Sequence, residues 1–306
     1  MRTDMGGKVK KELDRSEIVS RIFFIFFDCL LILYAFSFLY LVFWALTNAV
    51  KDSFYATYYP FKLPDKVFLE NFSYAWDRIK ITQWNSVLQK NITYTYWNMF
   101  FYSVCFSFGS TVMGIFVPFL VAYTLARYKF PGRNFLFNMA IFIMVLPSMA
   151  SLASSLYVRK QLGIYDNMLL HILTAAGGFE GNFLLLYGVA KGLSGEYAEA
   201  AKIDGAGHHT IMYRIYLPMM MPTMAALFVI GFLGSWNDYM TIITYLPSTP
   251  NLAYGVYLFK ENATVNQISL PITLSAYLIV ALPTIILWTC SQKAIRGMAV
   301  VGGLKG

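Results

Sequence analysis

The sequence predicts an all-α integral membrane protein with six transmembrane helices and both termini in the cytoplasm. Three observations predict it. Hydrophobic residues make up 58% of the 306 positions and charged residues only 13%, at a mean hydropathy of +0.53, where a soluble domain carries about 25% charged residues. The apolar residues come in runs of about 20 or more, the length a helix needs to cross the hydrocarbon layer. Basic residues gather on alternate connections between those runs, as they do on the cytoplasmic side of membrane proteins.

Six segments meet the length criterion, and each has its own signature. Span one is Ile22 to Leu46, with Asp28 near its start. It follows a basic tail (residues 1–21) and is longer than the apolar core of a signal peptide. No small-residue cleavage site follows it, so it is expected to stay in the protein. Residues 47–98 form a long aromatic connection. Span two, Met99 to Ala126, has no charge. Span three, Phe135 to Val158, is interrupted by Pro147, and span four, Met168 to Ala190, by Gly177, Gly178, Glu180, Gly181 and Asn182. Span five is Pro222 to Leu246 and span six Leu270 to Cys290, so that residues 99–290 form the core and 291–306 a tail.

Charge sets the orientation. The first tail, the 2–3 and 4–5 connections and the last tail hold fifteen Lys and Arg, against three on the short 3–4 and 5–6 connections. The termini and the 4–5 connection are therefore expected in the cytoplasm. The net charge of +8 follows from this scatter along membrane flanks. It forms no patch of the kind that binds nucleic acid. The three cysteines, Cys29, Cys105 and Cys290, all fall inside spans and suit packing better than a disulfide or metal pattern. The sequence has no phosphate-binding loop and no metalloprotease or nucleophile-elbow motif, so no ATP site, metal or other cofactor is expected in this chain.

The 4–5 connection, residues 191–221, is the most informative stretch. Glu196 to Ile203 favours helix, with Ser194 placed to cap it. Ala200 and Ala201 would let another backbone come close, and Gly205 suits a left-handed helix exit. A second short helix can start near Thr210, with Ile211 and Ile215 on one face, and Pro218 suits the first turn of the next element. His208 and His209 are expected to be solvated surface residues.

Glu199-Ala200-Ala201, Gly205, Ile215 and Leu217-Pro218 resemble the EAA motif of the membrane subunits of binding-protein-dependent ABC importers. Four further stretches are similar to the carbohydrate (maltose-type) branch of that family: AYTLARYKFPGR (Ala122 to Arg133), LGIYDN (Leu162 to Asn167), GSWNDY (Gly234 to Tyr239) and RGMAVVGGLKG (Arg296 to Gly306). The resemblance covers nearly the whole chain and is weakest in Lys51 to Asn98. It implies a multi-pass permease of a bacterial or archaeal cytoplasmic membrane that catalyses no bond-making step and supplies half of a gated path. The implied partners are a second permease chain, giving a heterodimer, two ATP-binding subunits that hold ATP and Mg, and an extracytoplasmic solute-binding protein. The implied cargo is an oligosaccharide or polysaccharide fragment. The residues implied to meet the ATPase are Glu199, Ala200, Ala201, Asp204, Gly205, Ile215, Leu217 and Pro218. A permease for a non-sugar solute is the alternative within the family. A stand-alone secondary transporter is a second alternative, but it has no use for an ATPase socket.

The path itself is expected to draw on polar residues inside the spans. Glu180 lies about 15 Å from the cytoplasmic end of span four at 1.5 Å per residue. Intramembrane carboxylates usually face a cavity or a partner. Gly177, Gly178 and Gly181 would loosen the helix enough for Glu180 and Asn182 to reach one cavity. A contact with the paired chain is the other reading of Glu180. Trp236, Asn237 and Asp238 suit sugar hydroxyls and ring faces, and Trp236 equally suits an interfacial anchor. Asp28 is expected in a hydrated or interchain position.

Overall fold

The computed structural model describes residues 15–85, 88–145, 152–179, 181–265 and 267–302. Helix α1 (Arg15–Ala49) is followed by two short helices, α2 (Ser53–Tyr58) and α3 (Glu70–Arg78), and by strands β1 (Ile81–Asn85) and β2 (Lys90–Tyr94). Then come α4 (Tyr96–Arg127), α5 (Arg133–Val145), α6 (Leu152–Gln161), α7 (Met168–Thr174), α8 (Gly181–Gly192), α9 (Glu196–Ile203) and α10 (His208–Ile211). A π-helical segment, Met212–Tyr216, joins α10 to α11 (Leu217–Trp236), and α12 (Tyr239–Tyr245), α13 (Leu252–Val265) and α14 (Leu270–Gly302) complete the chain.

Four helical stretches are long and apolar enough to cross a membrane: Ser20–Ala49, Tyr96–Arg127, His208–Trp236 and Leu270–Cys290. The expected fourth span is broken. The described parts of span three are α5 and α6; Pro147 lies outside the described residues. Span four becomes α7 and α8, separated by a bend in which Gly178 adopts φ +71°. Span five is displaced towards the N-terminus. Helix runs unbroken from His208, and the apolar run beyond Trp236 is cut because Asp238 accepts the Thr241 N–H at 2.9 Å and starts a new helix. The terminal tails are partly helical, since α1 begins at Arg15 and α14 continues to Gly302.

The all-α expectation needs one correction. Strands β1 and β2 pair antiparallel, with Ile81 opposite Tyr94 and Asn85 opposite Lys90. The β-branched and aromatic residues of ITQWN and KNITY favour a pleated surface. The Thr82 and Thr93 hydroxyls pair across it at 2.8 Å.

Helix α4 is the centre of the bundle and packs against α8 and α11, while α14 packs against α11, α1, α3 and α13. Close approach depends on small residues, as in other membrane helix pairs. A Cβ on Gly231 of α11 would stand 3.1 Å from Thr111 of α4. Two large apolar clusters result, beside a small third of Phe106, Ile242 and Leu246. One joins Ile115–Leu125 of α4 to Phe183, Leu186 and Ala190 of α8 and to Ile211–Leu227; the other joins Met99 to the hairpin, Phe232, Trp236, α13 and α14. They mark two ends of the bundle, called here the loop end (α9, α10) and the hairpin end (α2, α3, β1, β2, α12, α13).

Pro118 lies inside α4. It has no N–H to give the carbonyl four residues back, that of Gly114. The Asn182 side chain, from α8, donates to that carbonyl at 2.9 Å. One helix thus supplies the hydrogen bond that a proline removed from another, as apolar surroundings require.

Candidate functional site

The 4–5 connection folds as two short helices set between α8 and α11. Ser194 Oγ accepts the Glu196 N–H at 3.2 Å, although Gly195 is the boundary residue of α9. The far end of α9 is a Schellman cap. Ala206 N–H donates to Ala201 O at 2.8 Å, Gly205 N–H to Lys202 O at 3.0 Å, and Gly205 takes φ +82°. A Cβ on Gly205 would meet nothing within 4 Å, so only backbone conformation calls for glycine there.

The two alanines do not share a face. Ala200 is exposed, but Ala201 and Ala198 pack on the core of the chain itself. The outward surface of α9 carries Glu199, Ala200, Ile203 and Asp204, with Ile203 87% exposed. Ile215 and Leu217 pack inward, and Pro218 is exposed. The second helix starts at His208, two residues before the expected Thr210. It does not stop before Pro218. The π turn carries it through, with Leu217 N–H reaching back to Met212 O. Widening the turn accommodates a proline ring and its missing donor, which a plain α-turn would not.

Four residues outside the expected set fasten this connection to the end of α4. Arg127 Nη2 donates to Leu193 O at 2.5 Å, and its guanidinium lies 4.5 Å from the centre of the Tyr216 ring. The Tyr216 hydroxyl donates to Ser194 O at 3.1 Å. Tyr128 OH and His208 Nδ1 are 3.1 Å apart. His208 was expected to be merely solvated; it is exposed but paired. No short-range pattern links residues 80 positions apart, so the sequence carried no signal for this contact.

The residues expected along the path are scattered. Glu180 lies outside the described residues. The Asn182 amide is committed to Gly114, a packing role inside the chain. Asn237 caps α11 by donating to Leu233 O at 2.8 Å, and Asp238 caps α12. Trp236 is buried against Phe232 and Phe100. Trp236 and Asn237 nonetheless border an open cavity of about 710 Å³ whose other walls include Tyr239, Tyr257, Lys260, Tyr277 and Thr284. The rings of Tyr239 and Tyr257 stack at 4.9 Å and 11°. This cavity exists because α13 folds back against α4 and α14, which the sequence presented only as a connection between spans. Among the described residues no group of three or more His, Cys, Asp or Glu is placed to hold a metal ion.

Comparison with known proteins points the same way at three levels. The chain is 25% identical to the diacetylchitobiose uptake system permease protein NgcG of Streptomyces coelicolor, over 89% of this chain and 86% of that protein. It is 28% identical to the arabinooligosaccharides transport system permease protein AraQ of Halalkalibacterium halodurans, over 69% of this chain and 75% of that one. Its fold matches a chain in the crystal structure of a bacterial ABC transporter involved in the import of the acidic polysaccharide alginate, with a TM-score of 0.70 at 21% identity, covering 92% of this chain and 98% of the other. A family model covers residues 114–296, from the middle of α4 through the 4–5 connection and most of α14. The chain is therefore a member of the binding-protein-dependent transport system inner membrane components.

Proposed function

We propose that this chain is one of two permease subunits of an ATP-driven importer of oligosaccharides. In this reading α9 and α10 dock on an ATP-binding subunit, and a solute-binding protein delivers cargo at the hairpin end. The chain crosses the membrane six times with both termini in the cytoplasm. The α5–α6 and α7–α8 pairs each make one pass, the second interrupted at the bend around Gly178. Interrupted passes are common in transporters, where irregular backbone lines a cavity or is buried in protein. The aromatic cavity beside Trp236 suits sugar rings, whose apolar faces stack on Tyr and Trp while hydroxyls bond to Asn237 and Thr284. The sugar-transport relatives support the substrate class.

The observation that carries the reading is the 4–5 connection. A short helix with a small residue, a carboxylate and an exposed isoleucine at its surface, ended sharply by a left-handed glycine, is a shape for insertion into a cleft. An unpartnered carrier gains nothing from it.

Two measurements test this. Reporter fusions after Arg133 and after Gly306 should map to the cytoplasm, and fusions after Lys160 and Lys260 to the outside. An external C-terminus would overturn the six-pass topology. In the reconstituted importer, Gly205→Asp should leave membrane insertion intact and abolish sugar uptake. It puts a charged side chain into the docking face, and adds left-handed strain of no more than about 1 kcal/mol. Uptake at the parental rate would remove the coupling role of the connection.

A further inference from the structure

We infer that Arg127, Tyr128, Tyr216 and His208 form a strut that carries movement of the 4–5 connection into α4; the inference rests on the coupling role proposed above. Helices α8 and α11 are joined to the connection through the chain itself. Helix α4 is not, yet it is the element around which the bundle packs. Without a side-chain link, displacement of α9 would reach α4 only through sliding apolar contacts.

The strut supplies the link at both ends of the connection. At the entry, Arg127 binds Leu193 O while its guanidinium lies against the fully buried Tyr216, whose hydroxyl binds Ser194 O. At the start of α10, Tyr128 holds His208. Tyr123, one turn back on α4, braces both halves, with ring centroids 5.2 Å from Tyr216 and 5.8 Å from Tyr128. Tyrosine rings suit this duty because they have few rotatable bonds, and the guanidinium is a planar fork held here by both its hydrogen bond and the Tyr216 ring. The end of α4 is itself fixed, since Arg133 Nε donates to Leu125 O at 2.6 Å.

The grip falls on the base of α9 and leaves its tip free. A small cavity of about 170 Å³ separates Tyr123 and Arg127 from Glu199 and Lys202. The strut can therefore transmit without occupying the docking face.

The test is made on the complete importer in proteoliposomes, measuring sugar uptake and ATP hydrolysis together. Arg127→Ala should leave hydrolysis stimulated by the loaded binding protein close to that of the parent, while uptake per ATP falls by about tenfold, within the usual range of a coupling interaction. Tyr128→Phe and His208→Phe keep the rings and remove the hydrogen bond; each should lower uptake per ATP by less, and the two together by no more than either alone. Hydrolysis and uptake falling in proportion would overturn the strut. Should Arg127→Ala fail to assemble, unchanged uptake per ATP in Tyr128→Phe would overturn it equally. With the native cysteines replaced by serine, joining Tyr128→Cys to His208→Cys by a short bifunctional maleimide should preserve uptake per ATP. Loss of uptake on joining would mean that the contact must open, against the proposal. A parental complex whose hydrolysis ignores the binding protein would instead count against the importer reading itself.

Discussion

The two ends of the bundle are built on different principles. At the loop end the bonds are local, as in the Schellman cap around Gly205, or, where they span the sequence, lie at part-buried or exposed sites, as between Arg127 and Leu193 and between Tyr128 and His208. At the hairpin end, segments far apart in sequence meet at buried polar nodes. Asp166 accepts from Ser248 N at 2.8 Å and Ser248 Oγ at 2.6 Å, while Ser248 O accepts from the Tyr94 hydroxyl at 2.8 Å. Lys51, fully buried, donates to Asn48 Oδ1, Tyr59 O and Pro60 O, and desolvation lowers its pKa. Asn71 closes over the end of α1 by donating to Ala49 O and Lys51 O. On the coupling role proposed above, stability and transport depend on opposite ends. The hairpin end contributes stability through bonds that are costly to leave unmade. The loop end contributes a shape.

The largest effect on stability is expected at the hairpin end. Asp166→Ala removes the carboxylate that accepts from both the Ser248 N–H and its hydroxyl. It also places alanine at φ +60°, a conformation that aspartate tolerates better. The loss should be about 3 kcal/mol or more, seen as a lower melting temperature of the purified chain in detergent. A melting curve matching the parent would erase the distinction between the ends. Gly205→Ala should sharpen it. Strain of about 1 kcal/mol should barely move the melting curve, while uptake falls far more than such a sum explains. Uptake that tracks the small stability loss would show the loop end to be ordinary structure. The smallest effect belongs to the middle of the bundle. Asn182→Leu should cost about 0.6 kcal/mol, typical of a hydrogen bond between membrane helices. Pro118→Ala should restore the donor to Gly114 and make Asn182→Leu nearly neutral. Equal costs in both backgrounds would disprove the pairing of Asn182 with the proline.

This contrast also explains what could be read from the sequence. Gly205 and Ser194 are local signals, and each found its place; of the apolar runs, the first, second and sixth lie within single long helices. The hairpin was missed because residues 81–94 carry aromatics that also suit a membrane interface. The break after Trp236 lay in plain view as Asn-Asp, but an apolar window averages over two polar residues. Asn182 was assigned to a path because polarity inside a span suggests function. Its partner is the gap left by Pro118, visible only when α4 and α8 are side by side. Nothing in twenty-two tyrosines could single out Tyr216, Tyr239 or Tyr257.

The π segment between α10 and α11 has a geometric consequence. A π turn holds one residue more than an α turn, and each residue of an α-helix advances the facing direction by about 100°. His208 and Ile211 are therefore out of phase with the apolar stripe of α11 by roughly a quarter of a revolution. That offset points Ile211 into the core beneath α9 and brings His208 to Tyr128. The connection and the span below it behave as two gears cut on one shaft. The single residue inserted at Met212–Tyr216 sets the tooth at which they mesh.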